Sequence, residues 1–447
     1  MANGEWSENV PSGQQNLGNT SLLHEPMHPM GSRGDEADAG EGSPASSDFS
    51  PRKTTLFMNH PQRRTPNSEL RTPNAPTSEC GVGRSRFGVL PRSHLRLQIL
   101  ILILILILIS IPLLLLTGCA SSSQIAAAPL TRFEFTQPQM GVPFRLVLYA
   151  TNAAQASEAA THAFARISAL NGILSDYDPD SELSRVCRDT PVGQPVVVSP
   201  ELWHMLKRSQ DLARRTDGAF DATVGPLANL WRRARRRGEL PSEALLDEAR
   251  SRTGWQRLRL DSRRHTVTFL VPNMRLDFGA IAKGYAADEA LAVLRGHGLR
   301  SALVAAAGDM TAGDPPPGQP GWRVEVGRTD LTNGPAPRII WLHHGAAATS
   351  GDLFQRLDIG GRRYSHILDP RTGIGLTDHS LVTVLAPDGT TADSLSTAVS
   401  VLGPERGLNL VDRTPDAAAL VIRAPDGKPK VRESRRWRRW IAPTEQQ

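Results

Sequence analysis

The chain has 447 residues, with 51 Lys and Arg against 45 Asp and Glu, and a formal net charge of +6. At about 150 residues per domain this length allows two or three domains. So small a basic excess does not indicate a nucleic-acid-binding protein, and the absence of a short repeat and of several long apolar segments excludes collagen-like, coiled-coil and polytopic membrane proteins.

Composition divides the chain into four parts. Residues 1–98 are rich in Pro, Ser, Gly and Asn, and we interpret them as a disordered extension or as the result of a start site placed too far upstream. Residues 99–118 form a hydrophobic signal segment, and residues 119–130 form a flexible tether. Residues 131–447 then form one globular domain of about 315 residues, which is enough for a large core.

The apolar segment has the features of a lipoprotein signal. Arg86, Arg92 and Arg96 precede it, and it ends in the letters LTGC. A basic flank followed by an apolar run is typical of a secretory signal, and LTGC resembles the lipobox of bacterial lipoproteins, in which the cysteine is acylated. We therefore expect lipidation at Cys119 and a domain anchored on the periplasmic side of the cell inner membrane. The alternative is a transmembrane helix, which would leave the domain on the same side.

Helices and strands are mixed in the globular part. Ser199 followed by Pro predicts a helix start, and Gly298 and Gly403 predict helix ends. The predicted helices cover residues 152–174, a segment from residue 200, and residues 241–250, 281–296 and 392–402. The predicted strands cover residues 145–150, 257–261, 265–271, 301–305, 322–327, 338–342 and 417–423. Because strands and helices do not alternate strictly, the pattern predicts an α+β fold.

Polar, glycine-containing clusters flank these elements, as in loops that carry function. Residues 216–227, TDGAFDATVGPL, are either a loop held by Asx-turns or a backbone cradle for a ligand. In residues 276–285, Asp277 ends a strand and Lys283 lies in the first turn of a helix. A lysine at a helix N-terminus favours an anion such as phosphate.

The last cluster suggests a metal site. Asp393 and Thr397 are four residues apart on a predicted helix, so they share one face. A carboxylate and a hydroxyl suit Mg²⁺, although Asp393 could also serve only as a helix N-terminal charge. His366, in the segment YSHILDPRTG, is either a general base or a core histidine bonded to the backbone.

In this order the clusters resemble the ApbE family of FAD:protein FMN transferases. The family motifs TDGAFDxTVGPL, LDxGxIAKGYAxD, YSHIxDPxTG and TADxLST all occur, and the resemblance extends over about residues 135–410. It implies a single α+β, T-fold-like domain. It also implies an enzyme that uses FAD as substrate and Mg²⁺ as cofactor, and that transfers FMN to a threonine hydroxyl of an extracytoplasmic electron-transfer protein with release of AMP.

The resemblance also implies roles for individual residues. His366 matches a histidine that assists the attacking hydroxyl, and the Mg²⁺ ligands match the backbone oxygen of Ala280 and the side chains of Asp393 and Thr397. The positions that match the FAD site are Met140, Tyr177, Ala219, Phe220, Asp221, Asp277, Lys283 and Ile367. One departure is Ala307, which stands where the family has a glycine.

Two other functions use the same residues. A metal-dependent FAD pyrophosphatase would differ only in its nucleophile, which would be water. A non-catalytic flavin-binding lipoprotein would bind FAD without Mg²⁺, and it would not need a metal site directed at the pyrophosphate.

Overall fold

The computed structural model describes residues 92–116, 129–329, 333–352 and 356–441, and the chain divides into two units, residues 1–118 and 119–447. In the first unit, helix α1 spans Arg92–Leu116. Among the described residues, no helix has both the length and the apolar content required to cross a membrane. Cys119 and the tether up to residue 128 lie outside the described residues, so the predicted lipidation stays a prediction.

The second unit contains a large sheet, several short hairpins and seven α-helices within its described residues. The helices are α2 Ala153–Leu174, α3 Glu182–Asp189, α4 Pro200–Thr216, α5 Gly225–Arg237, α6 Glu243–Ser251, α7 Ala282–Gly296 and α8 Gly389–Asp412. The strands are β1 Thr131–Gln139, β2 Val142–Ala150, β3 Val196–Val197, β4 Leu258–Asp261, β5 Thr266–Phe269, β6 Ala302–Ala306, β7 Asp309–Ala312, β8 Trp322–Val326, β9 Arg338–Leu342, β10 Gly345–Gly351, β11 Arg356–Ile359, β12 Arg362–Ser365, β13 Leu368–Asp369, β14 Ile374–Gly375, β15 His379–Ala386, β16 Ala418–Ala424 and β17 Lys430–Glu433.

The main sheet is antiparallel throughout its described strands. Its order is β1-β2-β6-β7-β10-β15-β16-β17, and each neighbouring pair runs antiparallel. The helices and strands are therefore mixed without a parallel doubly wound sheet, which confirms the predicted α+β class.

The central strands of the sheet are buried on both faces, because side chains of alternate residues enter two different apolar clusters. On β2, Phe144, Leu146 and Leu148 pack with α2, α4, α7 and α8, whereas Val147 packs with the β8–β9 hairpin. Trp437, near the C-terminus, is fully buried in the second cluster. A third apolar cluster joins α5 and α6 to the short hairpins β11–β12 and β13–β14.

Of the seven described helices of this unit, α3 and α5 were not predicted, and a capping signal predicted only the start of α4. The side chain of Asn152 caps α2 by accepting from the Gln155 backbone N–H at 2.9 Å. Ser199 caps α4 in the same way, as predicted. The prediction for α8 was wrong by about one turn: the helix begins at Gly389, with Asp388 as its cap. Its predicted break at Gly403 is confirmed by a φ of +76° there.

Candidate active site

The N-terminal turn of α7 brings one lysine between two buried aspartates. The ammonium of Lys283 bonds the carboxylate of Asp309, at the start of β7. It also lies 3.5 Å from Oδ2 of Asp393, on α8. Only 4% of the Asp393 side chain and 7% of the Asp309 side chain are exposed. We call these three residues the Lys283 triad; with both carboxylates ionised, its net charge is −1.

This arrangement shifts the pKa values of its members. Burial disfavours the charged form of Lys283, but the two aspartates outweigh this effect and raise its pKa above the ordinary value. Burial and the neighbouring charge of Asp309 raise the pKa of Asp393, and Lys283 offsets this only in part. The ionised form of Asp393 is therefore disfavoured in this triad, and a cation bound beside it would stabilise that form.

Asp393 is positioned by a close approach of α7 and α8. A Cβ atom on Gly284 would lie 2.0 Å from the carbonyl oxygen of Gly389, so only glycine allows this contact. The Gly284 backbone N–H donates to Oδ2 of Asp393 at 3.0 Å. Thus Asp393 is not the N-terminal cap of α8, the alternative that the sequence left open, because Asp388 is the cap.

Hydroxyl groups lie beside Asp393. Thr397 follows it by one turn of α8, and its Oγ1 lies 3.2 Å from the hydroxyl of Ser350, at the end of β10. Ser350 also contacts the hydroxyl of Ser396 at 2.7 Å. Ala280, half-buried, lies in the turn that leads into α7. Of the three residues matched to the metal, Ala280 thus precedes α7, whereas Asp393 and Thr397 lie one turn apart on α8.

The loop that carries Asp309 departs from the usual backbone. Ala307 has a φ of +56°, a conformation that costs an alanine about 1–2 kcal/mol. The substitution of alanine for the family's glycine therefore leaves the positive φ in place. Phe144 on β2 pairs with Ala306, so the β1–β2 turn, which contains Met140, lies at the same end of the sheet as this loop.

A second cluster joins two of the residues matched to FAD. The guanidinium of Arg232, on α5, bonds Asp176 on one side and Oδ2 of Asp277 at 2.7 Å on the other. It also lies 4.2 Å from the ring centroid of Tyr177, whose exposed fraction is 74%. We call Asp176, Arg232 and Asp277 the Arg232 triad.

The loop of residues 219–221 is buried and held by internal bonds. Oδ1 of Asp221 accepts from the backbone and the hydroxyl of Thr223, and its Oδ2 accepts from the Trp255 N–H at 2.8 Å. Ala222 accepts from the Asp277 N–H at 2.8 Å. The loop contains the Asx-type bonds that the sequence suggested, and it supports Asp277 directly.

The segment around His366 is joined to this loop. Ile367 packs with Ala219 and with Val401, one turn beyond Thr397 on α8. The Ile367 backbone N–H donates a hydrogen bond to the hydroxyl of Ser365 at 3.1 Å. His366, which lies between these two residues, is exposed. The exposure of His366 does not match a core histidine.

Three residues had no assigned role in the sequence: Asp309, Arg232 and Ser350. The sequence contained a signal for Asp309, because Gly308 and Asp309 follow a predicted strand. Arg232 belongs to the basic run 232–237, and nothing local distinguishes it from its exposed neighbours. A separate cleft of about 740 Å³ between α4 and α7 contains none of the residues assigned by resemblance.

Known proteins are similar to this chain in sequence and in fold. The family model described as "ApbE family" matches residues 140–421. An FAD:protein FMN transferase of Haemophilus influenzae is 32% identical over 58% of this chain and 76% of its own length. The FAD:protein FMN transferase of Salmonella typhimurium is 30% identical over 70% of this chain and 91% of its own length.

Solved structures give the same result. The flavin transferase ApbE of Vibrio cholerae superposes with a TM-score of 0.63 at 29% identity, covering 70% of this chain and all of that one. The apo form of the flavinyl transferase ApbE of Pseudomonas stutzeri superposes with a TM-score of 0.62 at 31% identity, and the match covers 70% of this chain and 97% of that one. The chain belongs to the ApbE family.

Proposed function

We propose that this protein is an FAD:protein FMN transferase that moves FMN, in a Mg²⁺-dependent reaction, to a threonine hydroxyl of an extracytoplasmic electron-transfer protein. The observation that carries the proposal is the Lys283 triad with the Thr397 hydroxyl beside it. In the reaction the threonine oxygen bonds to the FMN phosphorus, the pyrophosphate P–O bond breaks, and AMP leaves with the electron pair.

The residues at this place fit Mg²⁺. Asp393, Thr397 and the backbone of Ala280 offer only oxygen donors, which hard cations prefer. With both carboxylates ionised the triad has buried negative charge, which a divalent cation would offset. When bound, Mg²⁺ would neutralise charge on the pyrophosphate and on the departing AMP.

The chain's own residues supply the remaining electrostatics. Lys283 is held protonated by its aspartates, so it presents a positive charge to a pyrophosphate oxygen. Its side chain is 25% exposed, so the residue is not sealed from solvent. The amides of the first turn of α7 add partial positive charge in the same direction.

Two further residues fit roles in binding and proton transfer. Tyr177 presents a largely exposed aromatic face, backed by Arg232, which suits stacking against a flavin or adenine ring. The attacking threonine must lose its proton, and the exposed imidazole of His366 is the candidate acceptor, with Asp309 as the carboxylate alternative.

An acceptor titration tests the proposal. The full chain is incubated with FAD and Mg²⁺, with and without a peptide that contains Ser-Gly-Ala-Thr, and the peptide mass and AMP release are followed. We expect covalent FMN on the threonine and AMP release only with the peptide. FMN release at a comparable rate without the peptide would instead identify a pyrophosphatase, and intact FAD in both mixtures would identify a binding protein.

We also propose that Cys119 is acylated and anchors the domain to the periplasmic side of the inner membrane. The support is the basic flank, the apolar segment and the LTGC sequence. Cys119→Ser should abolish lipidation and leave an uncleaved or released protein. Mass spectrometry that finds a mature N-terminus elsewhere than at Cys119 would contradict the anchor.

A further inference from the structure

A group of three potential metal ligands lies at the C-terminal end of α7. Nδ1 of His162 lies 2.9 Å from Nε2 of His297. One ligand atom from each of Glu158, His162 and His297 lies within 4.8 Å of the others. From the described residues, this is the one group of three or more His, Cys, Asp or Glu side chains that meets within such a distance.

We propose that Glu158, His162 and His297 form a binding site for a divalent transition-metal ion such as Zn²⁺. Two imidazole nitrogens and one carboxylate are a donor set that Zn²⁺ accepts at about 2.0–2.2 Å. The site is distinct from the Lys283 triad, because Lys283 lies at the opposite end of the 15-residue helix α7, about 21 Å from His297 along the helix axis.

The two imidazoles are close enough to bind one ion. Two nitrogens that each bind a tetrahedral Zn²⁺ at about 2.05 Å are about 3.3 Å apart. The observed hydrogen-bond distance of 2.9 Å would therefore open by only about 0.4 Å on binding. Without a metal, one of the two nitrogens donates its proton to the other. Their ring centroids are 4.9 Å apart with the planes at 35°, so the rings are not stacked face to face and their nitrogens meet edge to edge.

The backbone fixes two of the ligands on different helices. Glu158 and His162 are four residues apart on α2, so they project from one face. His297 is the C-cap of α7, where its N–H bonds the last carbonyls of the helix. Gly298 follows with a φ of +80° and turns the chain away. The carbonyl of His297 also accepts from the Gln155 side chain at 3.4 Å.

The surroundings favour a cation and allow its entry. The C-terminal end of a helix carries partial negative charge, which stabilises positive charge there. Glu158 and His162 are exposed and His297 is half-buried. A rotation of the exposed Glu158 side chain can thus bring its carboxylate to the metal without movement of the backbone. A bound ion would join α2 to α7 and stabilise their contact.

Zinc binding by matched variants tests the site. The full chain without a histidine tag is freed of metal by a chelator. It is then titrated with Zn²⁺ against a chromophoric competitor, and thermal melting is recorded with and without Zn²⁺. The variants are His162→Ala and Glu158→Gln. His343→Ala is the control, since His343 is an exposed histidine whose ring lies near that of His344. The chain has 12 histidines, so the comparison between variants decides the result.

We expect Zn²⁺ to raise the melting temperature of the wild type and of His343→Ala, because an ion that binds only the folded state stabilises it. His162→Ala should weaken Zn²⁺ binding about tenfold or more and lose the thermal shift, and Glu158→Gln should weaken binding by less. Without Zn²⁺, His162→Ala should melt like the wild type, since the residue is exposed. No thermal shift in the wild type, or equal losses in His162→Ala and His343→Ala, would overturn the proposal.

Discussion

The Arg232 triad and the Lys283 triad have the same composition, one cation between two aspartates, but different geometry. The guanidinium of Arg232 gives a separate nitrogen to Asp176 and to Asp277. The single ammonium of Lys283 bonds one aspartate and lies 3.5 Å from the other. A planar fork can satisfy two carboxylates at once, whereas a compact ammonium cannot do so as well.

From this difference we infer that the Arg232 triad positions neighbouring groups and that the Lys283 triad is the reaction centre. The Arg232 triad fixes the Asp277 loop and backs the Tyr177 ring, so we expect it to act mainly through stability and FAD positioning. In the Lys283 triad Asp393 also lies beside the hydroxyl-bearing residue Thr397 on α8. We therefore expect the Lys283 triad to bind Mg²⁺ and the pyrophosphate of FAD.

The largest stability effect should come from Arg232→Ala. The change leaves two largely buried carboxylates without their cation, which should reduce the free energy of unfolding by about 3 kcal/mol. Denaturant unfolding measures it, and Arg233→Ala is the control because Arg233 is an exposed neighbour on the same helix. Equal unfolding midpoints for the two variants would show that Arg232 does not stabilise the fold through its bonds to Asp176 and Asp277.

Lys283→Ala should weaken FAD binding ten- to hundredfold, since loss of a charge-assisted hydrogen bond costs about 1.5–3 kcal/mol. Equilibrium titration of FAD fluorescence measures the affinity, with Lys207→Ala on the exposed side of α4 as control. An unchanged dissociation constant would assign Lys283 a structural role instead.

These two triads also show what the sequence could and could not predict. The motif around Lys283 correctly placed it in the first turn of a helix, which is a local feature, and the anion-binding role inferred from that position stays a prediction. The bonds of Arg232 cross 56 residues to Asp176 and 45 residues to Asp277. No local pattern encodes such pairs, so Arg232 was grouped with its exposed neighbours.

The same division applies to the fold. The cap Ser199 lies next to the helix that it begins, and it marked the start of α4 correctly. The two-residue strands β13 and β14 depend on pairing with each other, and they were not predicted. The letters RRWRRW at residues 435–440 would favour a solvated face or a contact with anionic lipid headgroups, and Trp437 lies within them. The structure buries it in the core.

Asp176→Asn should flatten the pH dependence of stability. Burial and the charge of Asp277 raise the pKa of Asp176 to about 6. The folded state therefore holds this proton more tightly than the unfolded state, whose pKa is near the ordinary value of about 3.9. The stability contributed by Asp176 is thus full below about pH 4 and is lost as the pH rises through 6.

The check is the free energy of unfolding of both proteins between pH 4 and pH 7. The wild type should lose stability relative to the variant as the pH rises across this window. A constant difference between the two proteins would show that the pKa of Asp176 is not raised.

The smallest effect should come from Ala307→Gly, beside Asp309. Relief of the positive φ should increase the free energy of unfolding by about 1 kcal/mol, reduced somewhat by the greater freedom of glycine in the unfolded chain. Thermal melting measures this change, and Ala305→Gly within β6 is the control because it should destabilise. A loss of stability in Ala307→Gly would contradict the inference that the positive φ of Ala307 strains the loop.

The most direct test compares Asp393→Asn with Asp176→Asn, the same change in the two triads, for FMN transfer to an acceptor peptide across a Mg²⁺ titration. Asp393→Asn removes the carboxylate that we propose binds the cation, so transfer should fall by about a hundredfold or more at every Mg²⁺ concentration, while FAD still binds. Asp176→Asn should keep the wild-type Mg²⁺ midpoint. An Asp393→Asn enzyme that turns over like the wild type with the same midpoint, at most melting slightly lower, would contradict the assignment of the Lys283 triad as the reaction centre.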